Sequence, residues 1–168
     1  MNNAFLTVRD HHEYLPNAVT KVPDWSDVIR QIDYAMVNRS DLARRYELAP
    51  ERVLSGAADG GMVCEDSSQI KQHRNIEMRI IQNNPGYYIT HTQLYVSLSS
   101  ISKSFGKHND TTDVWFWQCI GQTKWTVWDP DPITYILSPG DLIYVPVGMY
   151  HDPEPLTPRM GMSIGIKQ

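Results

Sequence analysis

In the second half of the chain, apolar and polar residues alternate in short runs broken by turn-forming residues. Leu94, Val96 and Leu98 alternate with polar neighbours, the period-two signature of a half-buried strand. Ahead of them, Asn84-Pro85-Gly86 makes a tight turn, because Pro presets φ and Gly accepts the left-handed position that follows. Residues 114–120 and 125–128 form the next two predicted strands, with Gly121-Gln122 at their junction. Asp129-Pro130-Asp131-Pro132 reads as a turn. Residues 135–137, 142–145 and 160–166 supply three more strands, and Pro139-Gly140 separates the first two of these. Six or more short strands joined by tight turns predict a β-sandwich or barrel.

The first half is patterned differently. Between residues 23 and 40, Trp25, Val28, Ile29, Ile32, Met36 and Val37 recur at three- and four-residue spacing, which predicts an amphipathic helix with Asp24 or Ser26 as its N-cap. A second helical piece is expected over 41–54, with Pro50 as a break or first-turn residue. The Gly- and Ala-rich run 55–68 reads as loop, and no internal repeat or low-complexity segment is visible.

Length and composition narrow the class. With 168 residues the chain is long enough for one buried core and short for two. Its 41% hydrophobic and 20% charged content is ordinary for a globular protein. A formal net charge of −4 with no basic run argues against a dedicated nucleic-acid binder. Cys64 and Cys119 are too few for a disulfide scaffold, no apolar run follows Met1, and no stretch approaches the roughly 18 to 20 residues needed to span a bilayer. These features predict a soluble protein of the reducing cytoplasm.

The chemistry lies among the strands. His108 and Asp110 are two positions apart, so on extended backbone both side chains project from one face and can share a ligand. His151 follows 43 positions later, directly after the turn-rich run Pro146-Val147-Gly148-Met149-Tyr150. Two imidazoles and one carboxylate are the donor set that holds non-haem Fe(II) while leaving positions open. Zn, Mn or Ni could use similar ligands. By itself a His-x-Asp pair is also what an ordinary polar hairpin loop would contain.

The surroundings change the balance. From Gly140 the chain reads GDLIYVPVGMYH, which places Pro146, Gly148 and His151 at the spacing of the second cupin motif. Upstream, HNDTTDVWFWQCIGQTKW resembles the H-x-D-x-x-D-x-F-x-x-Q-x-x-G-x-K-x-W pattern of the JmjC and cupin-like hydroxylases, matching at His108, Asp110, Asp113, Gln118, Gly121 and Trp125. The resemblance implies a mainly β fold, a double-stranded β-helix (cupin or jelly-roll barrel) over residues 83–168. Residues 1–82 would form a helical and irregular extension packed on it, the two making one structural domain. It also implies an Fe(II)- and 2-oxoglutarate-dependent oxygenase. In that family the cosubstrate chelates the metal through its keto-acid end, a basic side chain deeper in the barrel pairs with its far carboxylate, and dioxygen is consumed as 2-oxoglutarate becomes succinate and a nearby C–H bond is hydroxylated. The metal ligands carried over are His108, Asp110 and His151. A protein side chain is the substrate class of the JmjC-like relatives, and extensions in this family serve homodimerisation or frame the substrate entrance.

The sequence departs from the family where the basic residue two positions before Trp125 should stand, because Thr123 occupies that place. Lys124 is adjacent, but strand alternation should turn it to the opposite face, where a solvated lysine is an equal reading. Arg159, eight residues beyond His151, is the better carboxylate anchor, since guanidinium offers a two-pronged match; otherwise it caps the loop 155–158. Gln118 shares parity with His108 and Asp110 and would line the cavity on one continuous strand, although a structural amide is equally consistent. Asp113 breaks that parity and reads as a turn anchor. Trp115, Trp117, Trp125 and Trp128 are aromatic wall or core, and Cys119 is a buried small residue. Two other functions stay open: a metal-dependent cupin that does not use 2-oxoglutarate, acting as a small-molecule dioxygenase or isomerase, and a non-catalytic cupin interaction module.

Overall fold

A computed structural model describes residues 6–38, 61–65 and 67–168. The helix expected over 41–54 and half of the loop expected over 55–68 lie outside the described residues. Nine strands and two helices are described, in the order β1 (Glu13–Leu15), α1 (Trp25–Asn38), β2 (Met62–Cys64), a short 3-10 turn (Lys71–His73), α2 (Arg74–Asn83), β3 (Tyr88–Ser97), β4 (Asp113–Ile120), β5 (Thr123–Trp128), β6 (Pro132–Leu137), β7 (Leu142–Val145), β8 (His151–Pro155) and β9 (Arg159–Lys167). All strand pairings are antiparallel. They build a six-stranded sheet in the order β1-β7-β4-β9-β3-β2 and a three-stranded sheet in the order β6-β5-β8. This is the jelly-roll arrangement that the motifs imply.

Two apolar layers explain why the large sheet reads as nearly continuous hydrophobic sequence. One face of β4 and β9, carrying Trp115, Trp117, Cys119, Met160, Met162, Ile164 and Ile166, packs with Val28 and Ala35 of α1 and Ile76 and Ile80 of α2. The other face turns inward, where Val114 and Phe116 meet Trp125, Val127 and Leu137 of the small sheet and Ile143 and Val145 of β7. A strand covered on both faces loses its alternation, and every residue of β4 from Asp113 to Cys119 is buried. β5 keeps the alternation: Thr123, Trp125 and Val127 are buried while Lys124, Thr126 and Trp128 are partly exposed.

The inward face of β9 is unusual in being small. Gly161 and Gly165 have no room for a Cβ, which would lie 2.1 Å from Cζ of Phe116 and 2.0 Å from Cε1 of His91. Ser163, between them, lines the interior cavity together with Phe116.

The first half of the chain does more than cover the barrel. β1 pairs with β7 and β2 with β3, so both edges of the large sheet are supplied from it. The Asp24 carboxylate accepts the backbone N–H groups of Ser26 (2.8 Å) and Asp27 (3.1 Å) and so caps α1. Its buried stripe runs through Val28, Gln31 and Ala35, leaving Ile29 and Val37 exposed. At the open edge between the sheets, the Tyr14 and Tyr135 rings pack at 5.0 Å, and the His12 ring bridges the Asp129 carboxylate and the Tyr135 hydroxyl, both at 2.9 Å. No described helix is long and apolar enough to cross a membrane.

Two buried histidines outside the His108–His151 pair predict an acid-side weakness. Burial holds His73 and His91 below the ordinary histidine value of 6.5. The unfolded chain therefore binds more protons than the folded one once pH falls below about 6.5, and stability present above that value is lost down to the folded-state pKa values. Thermal unfolding should show its midpoint falling by several degrees between pH 7 and 5.5, at about 2–4 °C for each kcal/mol lost. A midpoint that held steady or rose across this window would contradict the assignment.

Candidate metal centre

His108 and His151 reach each other through the backbone. They form an isolated antiparallel bridge in which the N–H of His108 donates to the carbonyl of His151 at 3.0 Å and the reverse bond is 2.8 Å. This places the two rings 4.4 Å apart between centroids. Asp110 is brought alongside by the turn before His151, where the N–H of Gly148 donates to the Asp110 carbonyl at 2.9 Å. Gly148 has a φ of +79°, a conformation that glycine adopts without strain. The same turn is held from below by Asp113, whose carboxylate accepts the Val147 N–H at 3.2 Å and the Tyr144 hydroxyl at 2.7 Å.

The ring orientations suit a cation. Nδ1 of His108 lies 2.7 Å from the Gly106 carbonyl and Nδ1 of His151 lies 3.1 Å from the Met149 carbonyl. A carbonyl can only accept, so each Nδ1 carries a proton, and in the neutral ring it is Nε2 that has the lone pair. Nε2 of His151 stands 3.5 Å from the Asp110 carboxylate, and one donor atom from each of the three residues falls within 4.8 Å of the others. Burial, the largest effect, holds His151 below the usual histidine range, which favours the neutral ring that a metal requires. Trp125 stacks on His151, with centroids 5.3 Å apart and planes 18° from parallel, and fixes its plane.

The three residues sit at the mouth of a cavity walled by the aromatic rings of Tyr95, Phe105, Phe116 and Trp125. Arg159, also lining it, is only 4% exposed. Burial pulls its pKa down to about 10, so it stays a cation at neutral pH. No carboxylate pairs with it among the described residues. Nη1 donates to the Thr123 hydroxyl at 3.0 Å, while Nε of Arg159 and Nε1 of Trp125 are buried without a partner among the described groups. A buried cation with an unsatisfied donor is costly, about 1–3 kcal/mol for the donor alone. An acceptor-rich anion in the cavity would remove that cost.

The remaining candidates fall elsewhere. Lys124 lies on the outer face of β5, as alternation predicts, where its ammonium pairs with Glu154 at 2.8 Å. Gln118 is wholly buried and is not part of the cavity wall; its amide bonds to Thr123 and to the Ile120 and Gly121 carbonyls. Trp115 and Trp117 belong to the outer core. Trp128 carries the Lys107 ammonium 4.0 Å above its ring. Ser163 also lines the cavity, a placement that its parity with Arg159 on β9 could have signalled.

With this geometry in hand, the chain can be set beside known proteins. A model of the JmjC domain matches residues 131–168. The Escherichia coli ribosomal oxygenase YcfD, in complex with cobalt and 2-oxoglutarate, superimposes with a TM-score of 0.68 over 94% of this chain and 48% of YcfD, at 19% identity. The chain has a JmjC-type cupin fold. A second YcfD structure, with cobalt and succinic acid, aligns at 25% identity and a TM-score of 0.53 over 64% of this chain and 31% of that one. The chain thus spans 31% and 48% of the length of these two YcfD structures. No match was found among curated proteins.

Proposed function

We propose that this JmjC-type chain is an Fe(II)- and 2-oxoglutarate-dependent oxygenase, with a protein side chain as its substrate. The observation that carries the reading is the pairing, across one cavity, of a two-histidine, one-carboxylate donor set with a buried and unneutralised arginine. The donor set fits a divalent metal in chemistry and tautomer, and the cavity's cation fits the far carboxylate of a dicarboxylate ligand. YcfD, described as a ribosomal oxygenase and solved with cobalt and 2-oxoglutarate, lends the same reading from outside.

His108, Asp110 and His151 would hold the iron, which supplies the activation of dioxygen when bound. The chain's own part is positioning. Arg159 would orient the cosubstrate by its far carboxylate, and the Trp125 Nε1–H, unpartnered among the described groups, is a second donor on that wall. Phe105, whose ring meets the His108 ring edge-on at 6.2 Å, and Trp125 on His151 keep the ligand rings in place. The turn 146–150, with Val147 and Tyr150 exposed beside His151, offers apolar surface at the mouth for a polypeptide substrate.

The test is turnover of 2-oxoglutarate by the purified chain with Fe(II), ascorbate and air. Succinate should accumulate slowly even without the protein substrate and depend on added iron. Metal uptake with no succinate under any condition would favour a cupin that does not use 2-oxoglutarate, or a non-catalytic module.

A further inference from the structure

Thr123 stands where the family pattern has a basic residue, yet it is wholly buried and it touches Arg159. The hydrogen bonds around it leave one assignment of direction. Nε2 of Gln118 donates to the Ile120 carbonyl at 2.7 Å and the Gly121 carbonyl at 3.1 Å, which uses both amide protons. Oε1 of Gln118 can therefore only accept. The single proton of the Thr123 hydroxyl goes to it over 2.7 Å, so the hydroxyl meets Nη1 of Arg159 as an acceptor over 3.0 Å.

The backbone braces this chain of bonds. The β4–β5 turn is clamped to the residues just before Arg159: the Gln122 N–H donates to the Thr157 hydroxyl at 2.8 Å and the Leu156 N–H to the Gln122 carbonyl at 3.0 Å. Gly121, at φ +68°, presses so closely that a Cβ there would lie 2.1 Å from the Pro158 carbonyl oxygen. Gln118, Thr123 and Arg159 are thus fixed relative to one another by three elements, β4, β5 and β9.

We infer that Gln118 and Thr123 are positioning residues for Arg159, setting the rotation of its guanidinium so that its unpaired donors face the carboxylate of the cavity ligand. The inference rests on the cosubstrate reading above. Position 123 then contributes orientation where the family pattern contributes charge, and the charge is delivered from β9. The alternative, that Thr123 merely satisfies one buried N–H, predicts no ligand selectivity.

The two roles separate in a binding experiment on the full chain loaded with Mn(II) without oxygen, read by calorimetry. Two probes are used: 2-oxoglutarate, and pyruvate, which has the keto-acid end without the far carboxylate. In Thr123→Val and in Gln118→Met the Kd for 2-oxoglutarate should rise about tenfold, the scale of one hydrogen bond to a charged group. The Kd values for pyruvate and Mn(II) should hold, and Thr123→Ser should restore 2-oxoglutarate binding to within about threefold of the parent. Should Thr123→Val fail to fold, Gln118→Met decides, because it breaks the same chain of bonds one link further from the cavity. Unchanged 2-oxoglutarate binding in the folded variants overturns the inference, as does an equal loss for pyruvate, which would mark general disruption. A parent protein that takes up Mn(II) and never binds 2-oxoglutarate defeats the cosubstrate reading, and that result appears before any variant is compared.

Discussion

Asp110→Ala is expected to remove tight metal binding from an otherwise intact protein. Loss of an outer partner of a metal ligand costs roughly 10- to 100-fold in affinity, so loss of a ligand itself should exceed about 100-fold. Asp110 is the cleanest of the three positions for this test, because its side chain is 39% exposed and sits at the mouth, outside both apolar layers. His151→Ala should match it in metal affinity while also lowering thermal stability, since the ring is buried and stacked on Trp125. Metal content by mass spectrometry after dialysis, together with the unfolding midpoint, separates the two effects. Full occupancy in either variant would show that the donor set is wrong.

Arg159→Met is expected to weaken 2-oxoglutarate binding by about 10- to 100-fold, the equivalent of about 1.5–3 kcal/mol for hydrogen bonds to a charged group. Metal affinity should not move, because the guanidinium belongs to the cavity wall and not to the donor set. Arg159→Lys should recover part of the loss, as a point charge replaces a planar fork. Lys124→Ala provides the control: its ammonium is engaged with Glu154 outside the barrel, and such half-exposed pairs contribute little. Equal binding by the Arg159→Met and parent proteins, or a larger loss in Lys124→Ala, would reassign the anchor.

Much of the barrel is legible in the sequence, and the parts that are not have physical reasons. β3, β4, β5, β7 and β9 announce themselves through alternation or doubly covered apolar runs. β8 is hidden because Pro153 and Pro155 fall within its five residues; it is tolerated as an edge strand, paired along its length with β5 and on its other side by the bridge to His108 at His151, ahead of both prolines. β1 and β2 are three residues each, too short for any period to show. In α2 only Ile76 and Ile80 are buried, one pair of contacts rather than a stripe. Leu98 continues the alternation of Leu94 and Val96, yet β3 ends at Ser97 and leaves it exposed, because the chain turns there toward His108 and Asp110.

The candidate site is legible to a similar degree. Motif spacing marks His108, Asp110 and His151, and distance from His151 marks Arg159, which the structure brings to one cavity. The placing of Gln118 on the same wall fails for a definite reason. Its parity is that of Val114 and Phe116, which do line the cavity, but it stands further along β4, opposite Gly161, where its amide is taken up by Thr123 and by the Ile120 and Gly121 carbonyls. What pattern could not supply was the pairing of Thr123 with Arg159, 36 positions apart, which depends on how the β4–β5 turn meets the β8–β9 loop.

The most direct test of the account is an anaerobic titration of metal-free protein with Fe(II) and then 2-oxoglutarate, followed in the visible region. The account predicts a weak charge-transfer band that requires both additions, reports chelation of the iron by the keto acid, and is absent in His151→Ala. Tight Fe(II) binding with no band at saturating 2-oxoglutarate would contradict it.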